Sequence, residues 1–217
     1  MKKLFLILFF IIPINVNAIS ARNIIAMDMD TNRVLYAKAI HDEHLIASIT
    51  KIMTTTIALE LGDLKSKITA TDTILKAYGS AIYVNVGETL TLEDLLYGLM
   101  LRSGNDAALM IAEHVGGDVD NFVKLMNQKA KEIGMKNTIF TNPHGLENDD
   151  GSANKSTAYD MAILTSYIMN NPEYQKIVST KKYIAKSDKK SYSWTNKNKL
   201  LTTYEYTTGG KTGYTEK

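Results

Sequence analysis

A chain of 217 residues with no cysteine cannot be stapled by disulfides, so its fold must rest on an apolar core of ordinary size. Its 25 basic and 23 acidic residues nearly balance, which argues against a nucleic-acid partner, because such a partner needs a concentrated basic surface.

Residues 1–18 read as a cleavable export signal. Lys2 and Lys3 form the basic end, Leu4 to Ile12 the apolar run, and Val16-Asn17-Ala18 a small-residue cleavage site. The run is short for a bilayer-spanning helix, although an uncut N-terminal anchor is the alternative. The expected mature chain, from about Ile19, suits one domain at the outer face of the cytoplasmic membrane or in the periplasm. No other membrane anchor is visible.

Arg22 to Asp28 and Arg33 to Lys38 are β-branched, apolar-rich runs separated by Met29-Asp30-Thr31-Asn32, the pattern of an antiparallel hairpin. From Ser48 to Leu61 apolar residues recur at helical spacing, with Gly62 as the stop. Thr91 can cap a second helical block, with Asp94 in the reciprocal position three residues on. Ser103-Gly104-Asn105 interrupts that block, which resumes over Ala107 to Val115 and again over Val119 to Ile133. A polar loop from Thr141 to Ser156 precedes a helix from Thr157 to Met169, ending before Pro172. The remainder, through Gly209-Gly210-Lys211-Thr212-Gly213-Tyr214, alternates polar and aromatic residues and reads as strand. Strands at both ends around a helical middle predict an α+β domain whose antiparallel sheet is assembled from the two chain ends. The lysines between Lys176 and Lys199 read as a solvated face, with attraction to anionic cell-wall polymer as the second reading.

Serine followed three residues later by lysine occurs at Ser48/Lys51, Ser152/Lys155, Ser179/Lys182 and Ser187/Lys190. Only Ser48 opens an amphipathic helix, where Lys51 lies one turn on along the same face. A helix N-terminus favours a serine with alkoxide character, and lysine can act as a base where burial or a neighbouring cation removes its proton. By itself the pair also fits a helix cap beside a surface lysine. Ser103-Gly104-Asn105 fits a tight turn, or a hydroxyl relay (Ser103) beside an amide that binds substrate (Asn105). Lys211-Thr212-Gly213 can offer a cation and a hydroxyl to a carboxylate while Gly213 admits substrate backbone.

In order along the chain, S-x-x-K at a helix start, S-x-N between helices and K-T-G on a late strand form the trio of penicillin-binding proteins and class A β-lactamases. From about Ala21 to the last residue the chain resembles the low-molecular-weight D-alanyl-D-alanine carboxypeptidases, serine peptidases with the β-lactamase/transpeptidase-like fold. Ala47 to Thr54, Leu101 to Ala107, Asn142 to Leu146, Ser156 to Ala162 and Gly210 to Tyr214 carry the likeness. The resemblance implies peptidoglycan stem peptides as substrates, β-lactams as covalent inhibitors, and no cofactor or metal. Ser48 is implied as nucleophile, Lys51 as base and Ser103 as proton relay. Asn105, Lys211, Thr212, Gly213 and Tyr214 would bind substrate, with the Ser48 and Tyr214 amides as the oxyanion hole.

A class A β-lactamase is disfavoured because no E-x-x-x-N segment precedes Lys211 where that class carries its deacylating glutamate. A Ser-His-Asp hydrolase lacks its G-x-S-x-G, and His41-x-x-His44 is weak support for a metal. The sequence stops at Lys217, four residues after Gly213, which gives the expectation of an incomplete domain over 19–217 lacking the family's later strands and C-terminal helix. A truncated, non-catalytic remnant is the competing expectation.

Overall fold

The structure, a computed structural model, describes residues 19–214. The expected signal segment lies outside the described residues.

The expected N-terminal hairpin forms: β1 (Ile24–Met27) pairs antiparallel with β2 (Val34–Lys38), Ile24 opposite Lys38. Its turn is closed by Asp28, whose carboxylate accepts from the Thr31 amide at 2.9 Å. After the two-residue β3 (His44–Leu45), a 3₁₀ turn over Ala47–Thr50 leads directly into α1 (Lys51–Leu61). Ser48 therefore sits in the tight turn before the α-helix rather than in its first turn. Three consecutive threonines of α1 are buried at no cost in unpaired hydroxyls. Thr55 and Thr56 donate to the carbonyls one turn back, and Thr54 donates to the Pro143 carbonyl at 2.6 Å.

β4 (Lys67–Thr69) pairs with β5 (Thr89–Thr91), and α2 (Leu92–Tyr97) starts on the expected capping box of Thr91 and Asp94. A π turn over Gly98–Arg102 ends at Ser103, whose left-handed backbone (φ 66°) redirects the chain into α3 (Asn105–Gly116). Leu92, Leu95, Leu96, Leu99 and Leu101 are wholly buried, as are Ala107, Ala108 and Ile111 of α3. A helix buried along most of its length belongs at the centre of a domain, and α1, α2 and the amphipathic α4 (Val119–Glu132) pack around α3.

β6 (Lys155–Ser156) pairs with β3, and α5 (Ala158–Ile168) is capped by Thr157, which accepts from the Asp160 amide. The sequence reading missed α6 (Pro172–Ser179), although Asn171 as cap and proline at the first helical position are its local signals. The strands expected next are β7 (Lys182–Lys186) and β8 (Ser191–Thr195), followed by the short α7 (Leu200–Thr203).

The mixed helix-and-strand class is as expected, but the sheet from both chain ends is not formed among the described residues. The strands make four separate two-stranded ladders. Lys211-Thr212-Gly213 lies in irregular backbone after Gly209 (φ 141°) and Gly210 (φ 127°), with no strand pairing among the described residues. A cavity of about 780 Å³, lined by Ile24, Ile25 and Met27 on one side and Gly209, Gly210 and Lys211 on another, stands between β1 and this segment.

Candidate active site

Ser48 owes its position to a sharp entry. Ala47 adopts left-handed backbone (φ 43°), and Gly145 (φ 93°) packs so closely on the Ala47 carbonyl that a Cβ there would overlap it. One turn on, Lys51 is wholly buried with its Nζ 3.2 Å from Ser48 Oγ. The same Nζ donates to Asn105 Oδ1 at 2.7 Å and to the His144 carbonyl at 2.6 Å. Burial pushes the Lys51 amine well below its ordinary pKa, and the positive charges of Lys211 and Lys197 push it further, against a smaller opposing effect of Asp106.

Asn105 is fixed by its surroundings. Its amide N–H donates to the Ser80 carbonyl at 2.8 Å and its Nδ2 donates to the Tyr78 carbonyl at 2.5 Å. Ser103, two residues earlier, is buried, and its Oγ has no hydrogen-bond partner among the described residues. An unpaired buried hydroxyl is costly, and such groups concentrate where a ligand or a reaction uses them.

Two buried asparagines hold the 141–146 loop against α1. Asn154 accepts from the Thr141 and Asn142 amides and donates to Thr50 Oγ1 at 2.9 Å, while Asn142 accepts from the Gly145 amide at 2.7 Å. That brace aims the His144 carbonyl at Lys51. The His144 ring is held neutral, its pKa lowered to about 4 by burial and then by Lys51. The second Ser-x-Asn of the sequence, Ser152-Ala153-Asn154, thus serves as a fastener.

Lys211 is half-buried, and its pKa is lowered to about 8 by burial and by Lys197. Gly213 lies against the Ser48 turn, where a Cβ would stand 3.2 Å from the Ile49 amide nitrogen. Thr212 and Tyr214 are exposed. The structure therefore joins Ser48, Lys51 and Asn105 by direct contacts. It seats Gly213 against the same turn and gives Lys211 a field felt at Lys51.

Sequence reasoning missed Lys197, hidden in a lysine-rich stretch read as a solvated face. Its Nζ donates to Ser80 Oγ at 3.3 Å, and its charge acts on both Lys51 and Lys211. It also missed Asp106, whose carboxylate accepts from the Ile82 and Val84 amides. The other serine–lysine pairs lie away from such a cluster; Ser187, for instance, closes the β7–β8 turn. Among the described residues no cluster of metal-ligating side chains occurs, and no helix is long and apolar enough to cross a membrane.

The family profile described as D-alanyl-D-alanine carboxypeptidase, peptidase family S11, matches residues 13–217. The chain is 37% identical to D-alanyl-D-alanine carboxypeptidase DacF of Bacillus subtilis over 202 residues, 90% of this chain and 51% of that protein. It is 35% identical to DacA of Haemophilus influenzae, covering 91% of this chain and 51% of that protein. Among solved structures, a D-alanyl-D-alanine carboxypeptidase of Mycobacterium tuberculosis superposes with a TM-score of 0.86 at 35% identity, covering 90% of this chain and 74% of that one. The carboxypeptidase DacD of Francisella tularensis gives a TM-score of 0.83 at 29% identity, covering the whole of this chain and 63% of that one. The chain thus spans about half the length of the curated relatives DacF and DacA. With the fold and the match over nearly its whole length in agreement, the chain belongs to the D-alanyl-D-alanine carboxypeptidase family of serine peptidases.

Proposed function

We propose that this chain carries the catalytic serine centre of an exported D-alanyl-D-alanine carboxypeptidase, which removes the terminal D-alanine from peptidoglycan stem peptides and is acylated by β-lactams. The observation that carries this reading is a buried amine of depressed pKa within reach of a serine hydroxyl. A neutral lysine amine has two N–H groups and one lone pair. With Asn105 Oδ1 and the His144 carbonyl taking the N–H groups, the lone pair is left for the Ser48 hydroxyl.

Ser48 Oγ then attacks the carbonyl between the two D-alanines while Lys51 accepts its proton. The amides of Ser48 and Tyr214 stabilise the oxyanion. Ser103, whose hydroxyl has no partner among the described residues, passes a proton to the departing D-alanine amine. Asn105 binds the substrate backbone, Gly213 lets it lie close, and Lys211 and Thr212 hold the terminal carboxylate. Water releases the shortened peptide. Residues 1–18 serve as the signal that delivers the enzyme to the periplasm or the outer face of the cytoplasmic membrane, where its substrate lies.

Labelled penicillin should attach covalently to Ser48, and Ser48→Ala should abolish labelling. Attachment at Ser152, or labelling that survives the substitution, would overturn the assignment. Release of D-alanine from a D-alanyl-D-alanine peptide tests the carboxypeptidase step directly.

A further inference from the structure

Residues 80–86 form a strap beside the site, tied down along its length. The Ser80 carbonyl takes the Asn105 amide, and the Ile82 and Val84 amides converge on the buried Asp106 carboxylate at 3.0 and 3.2 Å. At the far end Asn85 donates to Glu88 Oε2 through its backbone and its side chain, both at 3.0 Å. Glu88 is wholly buried, and its other oxygen accepts from Ser187 Oγ at 2.5 Å and Tyr192 OH at 2.7 Å. The strap is thereby fastened to both α3 and the β7–β8 hairpin.

At the crest stands Tyr83. Its neighbours Ile82 and Val84 are buried, yet Tyr83 is 74% exposed and its backbone is left-handed at φ 63°. Lys190 Nζ holds its carbonyl at 2.8 Å. A bulky residue is rare in this backbone region, where glycine would sit without strain, and a large aromatic surface left in water adds a second unfavourable feature. Strain of this kind persists where the surroundings over-determine it and where function uses it.

We propose that Tyr83 is a specificity-determining residue whose ring packs against the stem-peptide residues that precede the terminal D-alanyl-D-alanine. This inference rests on the carboxypeptidase reading of the site. Tyr83 is three residues from Ser80, at most about 10 Å of chain, a span within that of a few residues of peptide upstream of the scissile bond. An exposed aromatic face suits the aliphatic and backbone surfaces such a peptide offers.

The test uses the Ser48→Ala chain, in which ligands bind without turnover, and two probes: a stem pentapeptide and N-acetyl-D-alanyl-D-alanine. Adding Tyr83→Gly should raise the pentapeptide Kd about tenfold, leave the acetylated dipeptide within about twofold, and leave Tm unchanged or raised as strain is relieved. Tyr83→Phe should bind both like the parent. Equal weakening of both probes, unaltered pentapeptide binding, or a parent that does not prefer the pentapeptide would each overturn the proposal. Penicillin labelling of the chain with Ser48 intact separates the two failures. Labelling without pentapeptide preference rejects Tyr83 alone, and absence of labelling rejects the reading of the site.

Discussion

The buried Lys51 amine donates to the side-chain oxygen of Asn105, 54 positions on in sequence, at 2.7 Å. Because that oxygen is neutral, it orients the amine without restoring its charge. Asn105→Asp would place an anion there and raise the Lys51 pKa, since an opposite charge favours the protonated form. The rate of acylation by penicillin at neutral pH should fall by roughly 10²-fold, the scale of general-base catalysis, with the rising limb of its pH profile moved upward. Rates measured from pH 6 to 10 decide this, and an unmoved limb would count against Lys51 as the base.

Lys211 should set the opposite limb. Its pKa of about 8 means that it loses its charge as pH rises through that value, so binding of a terminal carboxylate should weaken above about pH 8. Lys211→Arg, which keeps its charge throughout, should move this limb upward in KM for a D-alanyl-D-alanine peptide. A limb that stays in place in the variant assigns it to another group.

Glu88 should govern acid stability. Burial alone would raise its pKa, but hydrogen bonds from Ser187, Asn85 and Tyr192 outweigh that and hold it at about 2, below an ordinary 4.5. A carboxyl lowered on folding contributes stability fully above its unfolded pKa and loses it as pH falls through the folded value. The contribution, about 3 kcal/mol, should therefore vanish between about pH 4.5 and 2. Glu88→Gln should lower Tm near neutrality, with the gap to the parent closing across that window. A gap that stays constant to pH 2 would show that the carboxylate charge is not what stabilises the strap.

Gly145→Ala combines an unfavourable backbone conformation with overlap on the Ala47 carbonyl. It should destabilise the fold by more than about 1 kcal/mol and slow acylation of the protein that remains folded, because Ala47 sets the Ser48 turn. Denaturant unfolding and penicillin labelling of the soluble fraction measure the two effects. Loss of stability with labelling intact would mean that the turn tolerates displacement.

What the sequence determined alone was local. Ser48 and Lys51 are one turn apart on a continuous apolar pattern, Thr91 and Asp94 cap α2 within four residues, and the N-terminal hairpin is written in two runs and their turn. Spacing suffices for these because the partners are neighbours in the chain. Tertiary structure decided the rest. The Lys51 proton is set by burial and by Lys197 and Lys211, whose proximity no local pattern records. The His144 carbonyl reaches Lys51 only because Asn142 and Asn154 brace a loop, and a main-chain oxygen leaves no mark on residue identity. The polar-aromatic alternation around Lys211 predicts a strand, yet a strand exists only where a second chain segment supplies hydrogen bonds. Beside Gly209 and Gly210 none does so among the described residues.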